Sequence, residues 1–499
     1  MEPAGAGNLR WNTSASKKGE KGRGRTRMTA HREHMTAAEA AERATVAAHH
    51  LAHTARERRR RVTHRNHMAV PWHEVLDAGD TLAVDATLAD KSSIICRAGS
   101  LLLAGGTGSW RVRDSMNRIA RVLGVTCTAD VSLTHIECTC IDEHDHSTFS
   151  EVVSLPGTGV NTERIWYMEK FVHEVQVLGR ELTVEAWHRL MDKVEHARGN
   201  YAPWQVGLAS AAACCAFVFL LGGGPIEMGC AFVGAGLGNF VRALLGRRKL
   251  MHLVGIGASV AVACVAYLAS LMLLSAFIPG AMDHEAGYIG AMLFVIPGFP
   301  LITSGLDIAK LDYRSGIERL FHAGTIIISA TLVGWLVASA VQLKPDDFAP
   351  LGLSFGALTA LRLVASFVGV FGFSMMFNSP YKMCLVAAVN GAIANTLRLT
   401  LTDFGVPPEA AAFVGALTSG LLASIAGLRF GVPRISLTVP SIVIMVPGLY
   451  MYRAMFYMGI FDTLNALSWA IRAVMIVMCL PMGLGVARAI TDPAWRKAN

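Results

Sequence analysis

From about residue 203 onward the chain alternates between apolar runs near 20 residues long and short polar joints, whereas polar positions dominate before it. A helix of that length, rising about 1.5 Å per residue, matches the hydrocarbon thickness of a bilayer. The pattern predicts ten spans, at 204–220, 226–244, 252–277, 287–307, 322–343, 351–377, 383–401, 409–428, 435–457 and 464–487. The fourth and ninth are interrupted. Pro297, Gly298 and Pro300 break the first, and Pro447 and Gly448 break the second 150 positions later. Proline removes a backbone donor and its ring clashes with the preceding turn, so a helix interior rejects it. In hydrocarbon such a break survives only inside protein or beside a polar cavity. Two interrupted spans at corresponding places in two halves point to the central site of a transporter.

A second pair of motifs repeats. Asn239-Phe240-Val241-Arg242 in the second run resembles Asn395-Thr396-Leu397-Arg398 in the seventh. Each half therefore holds five runs, and an odd number makes the second copy enter from the opposite face, as in an inverted-topology repeat. Charge agrees with this arrangement. One set of alternate joints holds Arg242, Arg247, Arg248, Lys249, Lys310, Arg314, Arg319, Lys382, Arg429, Arg434 and Arg488; the other holds only Lys344, with seven acids. The side rich in Lys and Arg is the cytoplasmic one, which places both termini there in a multi-pass plasma-membrane protein.

The preceding segment is predicted to be a small cytoplasmic α+β domain over 67–199, followed by membrane repeats at 200–345 and 346–499. Helical spacing covers 88–103, 109–123, 164–178 and 183–196; 126–141 alternates as a strand or hairpin, 149–155 as another strand, and Pro156-Gly157 reads as a turn. Residues 1–66 form a basic tail with 15 Lys and Arg against 6 acids, which accounts for the net charge of +8. Its first 35 residues are expected to be disordered and 36–61 helical. The Arg58–Arg61 run is read as a contact with anionic lipid and not with nucleic acid. No secretory signal is expected from the first apolar run, which begins some 200 residues in.

These motifs resemble the threonine/serine exporter family. Val295 to Ile302, with Asp307, Lys310 and Gly316, looks like the signature of its N-terminal part. Asn378-Ser379-Pro380, Asn390-Gly391, Arg398 and Val446-Pro447-Gly448 look like its C-terminal part, and Ala98 to Gly106 fits its soluble domain. The resemblance covers about 80–490 and has the fused form seen in actinobacteria. It implies proton-driven export of L-threonine and L-serine; split members are linked to dicarboxylate export.

The candidate site comprises Pro297, Gly298, Pro300, Pro447 and Gly448, whose freed backbone groups would meet an amino acid's charged ends. Thr303 and Ser304 could take a side-chain hydroxyl. Arg242 and Arg398 could grip a carboxylate bidentately, oriented by Asn239 and Asn395; the bland alternative is snorkelling to headgroups. Asp307 is the acid nearest a break and the candidate carrier of the coupling proton, against a solvated helix-end residue. Arg362, Arg453 and Arg472 lie in apolar runs, where a cation needs a partner or water. His135, Cys138, Cys140, His144 and His146 have no recognised zinc spacing, so neither metal nor cofactor is expected. Gly105-Gly106-Thr107-Gly108 lacks a P-loop lysine and reads as a helix terminator. The ten scattered cysteines resemble small buried hydrophobes more than a disulfide framework. With no ATPase motif, the leading expectation is a secondary exporter that is not an enzyme, with a homo-oligomer compatible. A membrane-anchored hydrolase lacks a nucleophile elbow, and a channel is the remaining class.

Overall fold

A computed structural model describes residues 80–155, 159–248 and 250–496. The basic tail, its expected helix and disorder, and the turn at Pro156-Gly157 lie outside the described residues. An α+β layer comes first: α1 (Leu88–Ala104), α2 (Ser109–Val122), β1 (Val125–Val131), β2 (His135–Asp142), β3 (Thr148–Ser154), α3 (Thr162–Leu178) and α4 (Val184–Glu195). The strands form one antiparallel meander, β1-β2-β3, with Cys127 opposite Cys140 and Ile136 opposite Val153. The alternation over 126–141 is thus a hairpin. Along β2, Ile136, Cys138 and Cys140 face the buried side while Glu137 is exposed, as a one-sided sheet requires.

The helical body follows as α5 (Pro203–Leu220), α6 (Pro225–Arg247), α7 (His252–Ser275), α8 (Tyr288–Met292), α9 (Gly298–Ala309), α10 (Tyr313–Val341), α11 (Phe355–Met376), α12 (Tyr381–Asp403), α13 (Pro408–Phe430), α14 (Arg434–Val443), α15 (Gly448–Gly459) and α16 (Thr463–Thr491). Among the described residues, eight helices are long and apolar enough to cross a membrane, and up to ten if each bent pair counts as one span. The bends are 57° between 281–295 and α9, and 49° between α14 and α15. Leu428, Phe461 and Leu464, all more than four-fifths exposed, mark an apolar outer surface suited to lipid.

The fifth run begins at Tyr313, not 322, because the helix continues about two turns past the apolar stretch; Arg314 and Arg319, read as joint residues, are helical. That polar extension is supported by the α+β layer. Arg314 pairs with Asp130 and Glu137, and Glu318 Oε2 accepts from Leu133 N at 2.8 Å.

The principal helix pairings of the first half have counterparts in the second. Helices α5–α6, α6–α7, α6–α8, α7–α10 and α9–α10 pack together, as do α11–α12, α12–α13, α12–α14, α13–α16 and α15–α16. The halves join through α5–α11 and by exchange, α9 against α16 and α15 against α10. The turns match as well. Leu311 and Phe461, 150 positions apart, both adopt left-handed backbone, at φ 62° and 64°. The following amides, Asp312 N and Asp462 N, each close a Schellman turn at 2.9 Å, onto Asp307 O and Tyr457 O.

Candidate functional site

The two breaks have the same backbone. Pro297 lies at φ −81°, ψ 61° and Pro447 at φ −81°, ψ 56°, the region of an inverse γ-turn. Gly298 N donates to Ile296 O and Gly448 N to Val446 O, both at 2.8 Å. The ring fixes φ and the missing amide removes the competing helical bond, so each break is one tight turn and not a long unwound stretch. Pro300 falls in the first turn of α9, where its missing donor would have no helical partner anyway.

The breaks touch each other. A Cβ on Gly298 would meet Val443 Cγ2 at 3.1 Å and Val446 Cγ2 at 3.3 Å; one on Gly448 would meet Leu293 Cδ2 at 2.7 Å. The contact is apolar and leaves a space of only about 10 Å³. Room for a ligand lies to either side instead. A cavity of about 380 Å³ is lined by Pro297, Gly298, Pro300 and Thr303 together with Asn239 and Arg242. A second, of about 70 Å³, is lined by Pro447 and Gly448 with Asn395 and Arg398. Each half thus brings its own break to its own asparagine–arginine pair, and ten of the eleven candidates, all but Asp307, divide between two cavities. Asp307 and Ser304 line neither.

The asparagines act as ties. Asn239 Nδ2 donates to Val206 O on α5 at 3.2 Å, and Asn395 Nδ2 to Ser366 Oγ on α11 at 2.9 Å. The guanidiniums three residues on have no carboxylate among the described residues, and Arg398 Nε and Asn395 Oδ1 are buried without a partner. A cation in such surroundings needs a counter-charge or water. Thr303 Oγ1 bonds within its own helix, to Phe299 O at 3.1 Å. The other membrane arginines are engaged: Arg362 with Asp403, Arg453 with Asp347 at 2.7 Å, and Arg472 over the Trp469 ring at 5.5 Å.

Asp307 is 2% exposed, so it is not a solvated helix end. Its Oδ2 lies 3.2 Å from Arg319 Nε, accepts from Ser315 Oγ at 3.2 Å, and accepts from Ser109 N at 3.3 Å. The last bond places the carboxylate at the N-terminus of α2, where backbone amides and the helix dipole favour an anion. Gly108 permits this approach, since a Cβ there would sit 2.6 Å from Asp307 Oδ1. Arg319 in turn donates to Thr107 O at 2.7 Å, and Asp312 binds Ser109 Oγ and Arg113.

The Gly105–Gly108 segment therefore does more than end α1. It covers the larger cavity, which Leu103, Gly106, Leu133, Gly159 and Val160 also line. The Asn378-Ser379-Pro380 motif anchors the same layer: Thr162 N donates to Phe377 O at 3.0 Å, and Thr162 Oγ1 lies 2.7 Å from Ser379 Oγ. Sequence reasoning missed Arg319, His252 and His322, all lining this cavity. A short polar joint with an acid before it and an arginine after it was the available signal for Asp307–Arg319. The 150-residue offset puts Tyr457 and Trp469 at the corresponding positions, so this lock belongs to the first half alone.

A polytopic helical body with two broken helices in contact, each opening on a cavity with a guanidinium that has no acid partner among the described residues, defines a membrane transport protein. The chain belongs to the threonine/serine exporter family. The family model described as "Putative threonine/serine exporter" matches residues 93–342, and that described as "Threonine/Serine exporter, ThrE" matches 362–490. The "Probable threonine/serine exporter" of Mycobacterium tuberculosis is 21% identical over 410 residues, 80% of this chain and 75% of that protein. The "Probable succinate transporter subunit YjjP" of Escherichia coli is 26% identical over 253 residues, 49% of this chain and 92% of that protein. No solved structure matches the chain.

Proposed function

We propose that the chain is a proton-coupled secondary exporter of L-threonine and L-serine, working by alternating access between two inverted five-helix repeats. The observation that carries this reading is the pair of unequal cavities at the two breaks, each joining a Pro-Gly turn to an arginine with no ion pair among the described residues. In a two-fold design, unequal cavities are what one end-state of an alternating cycle presents. Here the larger cavity faces the α+β layer, which the charge asymmetry assigns to the cytoplasm, so this state accepts substrate from inside. Arg242 holds the substrate carboxylate there, and Arg398 receives it after the repeats rock. Asp307 carries or relays the coupling proton and, while ionised, holds Arg319 and the covering loop in place.

Inside-out vesicles given labelled L-threonine and an imposed pH gradient test the reading. Gradient-dependent accumulation is expected; uptake that ignores the gradient, or merely dissipates it as a channel would, overturns it. Topology is checked separately. A cysteine at Ser147, in the exposed β2–β3 turn, should resist an impermeant thiol reagent in intact cells and react after lysis. Efficient labelling in intact cells would reverse the assigned orientation.

One observation favours a second reading, export of a small dicarboxylate. The described residues lining the larger cavity include Arg242, Arg319, His252 and His322 but no Asp or Glu. A dianion suits that balance, whereas an amino acid's ammonium group must rely on backbone carbonyls. Competition of threonine uptake by succinate in the same vesicles separates the two: strong inhibition by succinate with none by serine selects the dicarboxylate.

A further inference from the structure

Four of the ten cysteines belong to the α+β layer, and all four are buried inside it. Cys127 comes from β1, Cys138 and Cys140 from β2, and Cys96 from the face of α1 that covers the sheet. Cys127 and Cys140 are cross-strand partners, and Cys138 lies two residues along on the same face, because side chains repeat every second residue of a strand. Cys127 Sγ lies 3.3 Å from Cys138 Sγ, and Cys138 Sγ lies 3.8 Å from Cys140 Sγ. All three sulfurs fall within 4.8 Å of one another, and Cys96 is buried on α1, which packs against β2. His135, His144 and His146, which share this stretch of sequence, are not part of the cluster; His135 turns instead to Ser132 and Arg314.

We propose that Cys127, Cys138 and Cys140, with Cys96 as the fourth ligand, form a structural site for a thiophilic d10 cation such as Zn²⁺. A tetrahedral site with metal–sulfur bonds of about 2.3 Å sets its sulfurs about 3.8 Å apart, close to the separations found here. Hydrophobic packing alone explains buried cysteines singly, but three clustered thiols on two strands, with a fourth buried cysteine on the helix that covers them, exceed what small-residue packing needs. The surroundings also suit ligation. Ser92 Oγ donates to Glu151 Oε1 at 2.5 Å beside the cluster, supplying the polar second layer that metal ligands usually have. A bound cation would hold these side chains as thiolates around one positive charge.

The lever is mechanical as well. The site would clamp α1 to the β1–β2 hairpin, and α1 ends in the Gly105–Gly108 segment that covers the larger cavity. This inference concerns the layer itself and does not depend on what is transported.

Titration of the full-length, reduced protein in detergent with Co²⁺ tests it. One Co²⁺ per chain is expected, with thiolate-to-metal charge-transfer absorption, tetrahedral d–d bands, and displacement by Zn²⁺. Cys138→Ser and Cys127→Ala should each weaken binding by more than about tenfold, the lower end of the loss seen on removing even a second-layer partner. Cys264→Ser, in the helical body, should keep the full signal. Zn²⁺ should also raise the melting temperature of the unsubstituted protein, a readout independent of whether any variant folds. Absence of stoichiometric Co²⁺ or Zn²⁺ binding by the unsubstituted protein overturns the site, as does a charge-transfer band that survives in both Cys138→Ser and Cys127→Ala.

Discussion

Asp307→Asn is expected to abolish gradient-driven export, and also to lower the amount of folded protein. Both effects come from one carboxylate. Arg319 is 3% exposed and reaches no other acid as closely among the described residues, so the substitution leaves a buried guanidinium without its counter-charge. Breaking a buried pair from one side typically costs about 3–5 kcal/mol, because the remaining charge is uncompensated. A drop in activity from this variant alone would therefore be ambiguous. The double variant Asp307→Asn/Arg319→Gln resolves it by removing the orphaned charge. It should recover membrane abundance and thermal stability while remaining unable to accumulate threonine against a pH gradient. Counterflow of threonine without any gradient should persist in it, since exchange needs the cavity but not the proton. If the double variant transports with normal dependence on the pH gradient, Asp307 is a docking residue for the α+β layer and the coupling proton travels elsewhere.

Arg398→Gln should reduce export by about 10- to 100-fold, the worth of a charge-assisted hydrogen bond of about 1.5–3 kcal/mol. Folding should change little, because no described carboxylate depends on Arg398 and its Nε has no partner to lose. The loss should appear in a raised half-saturation concentration when transport is measured from the side of the smaller cavity. Arg398→Lys keeps the charge but not the planar fork, and should recover only part of the affinity. Arg242→Gln is expected to produce the matching defect from the opposite side. Equal half-saturation values for the Arg398→Gln variant and the unsubstituted protein, measured from both sides, would remove this arginine from the substrate path.

Much of the architecture was legible in the chain itself. Run length predicted the membrane-spanning helices, since a fixed hydrocarbon thickness demands a fixed number of apolar residues. The Pro-Gly pairs marked where two of those helices must bend, because proline's missing donor is a local property. Period-two alternation marked the β1–β2 hairpin for the same reason: the strand repeat depends on neighbours alone. The first two turns of α10 were not legible, because Tyr313 to Leu320 is too polar for a span and is held in helix by partners on the α+β layer.

What the chain could not disclose were relations between residues far apart in sequence. Asp307 read equally well as a solvated helix end or a proton carrier; only folding brings it to Ser109, 198 positions away. The glycine segment at 105–108 read as a terminator, and its place over the cavity depends on Arg319 arriving from another helix. Spacing along β2 gave Cys138 and Cys140 no recognised metal pattern, because their companions Cys96 and Cys127 come from other elements. Local periodicity and proline chemistry determine which segments are helices, strands and breaks. The pairing of charges, the split of one expected site into two cavities and the gathering of the thiols are decided by tertiary packing, where long-range contacts alone set the distances.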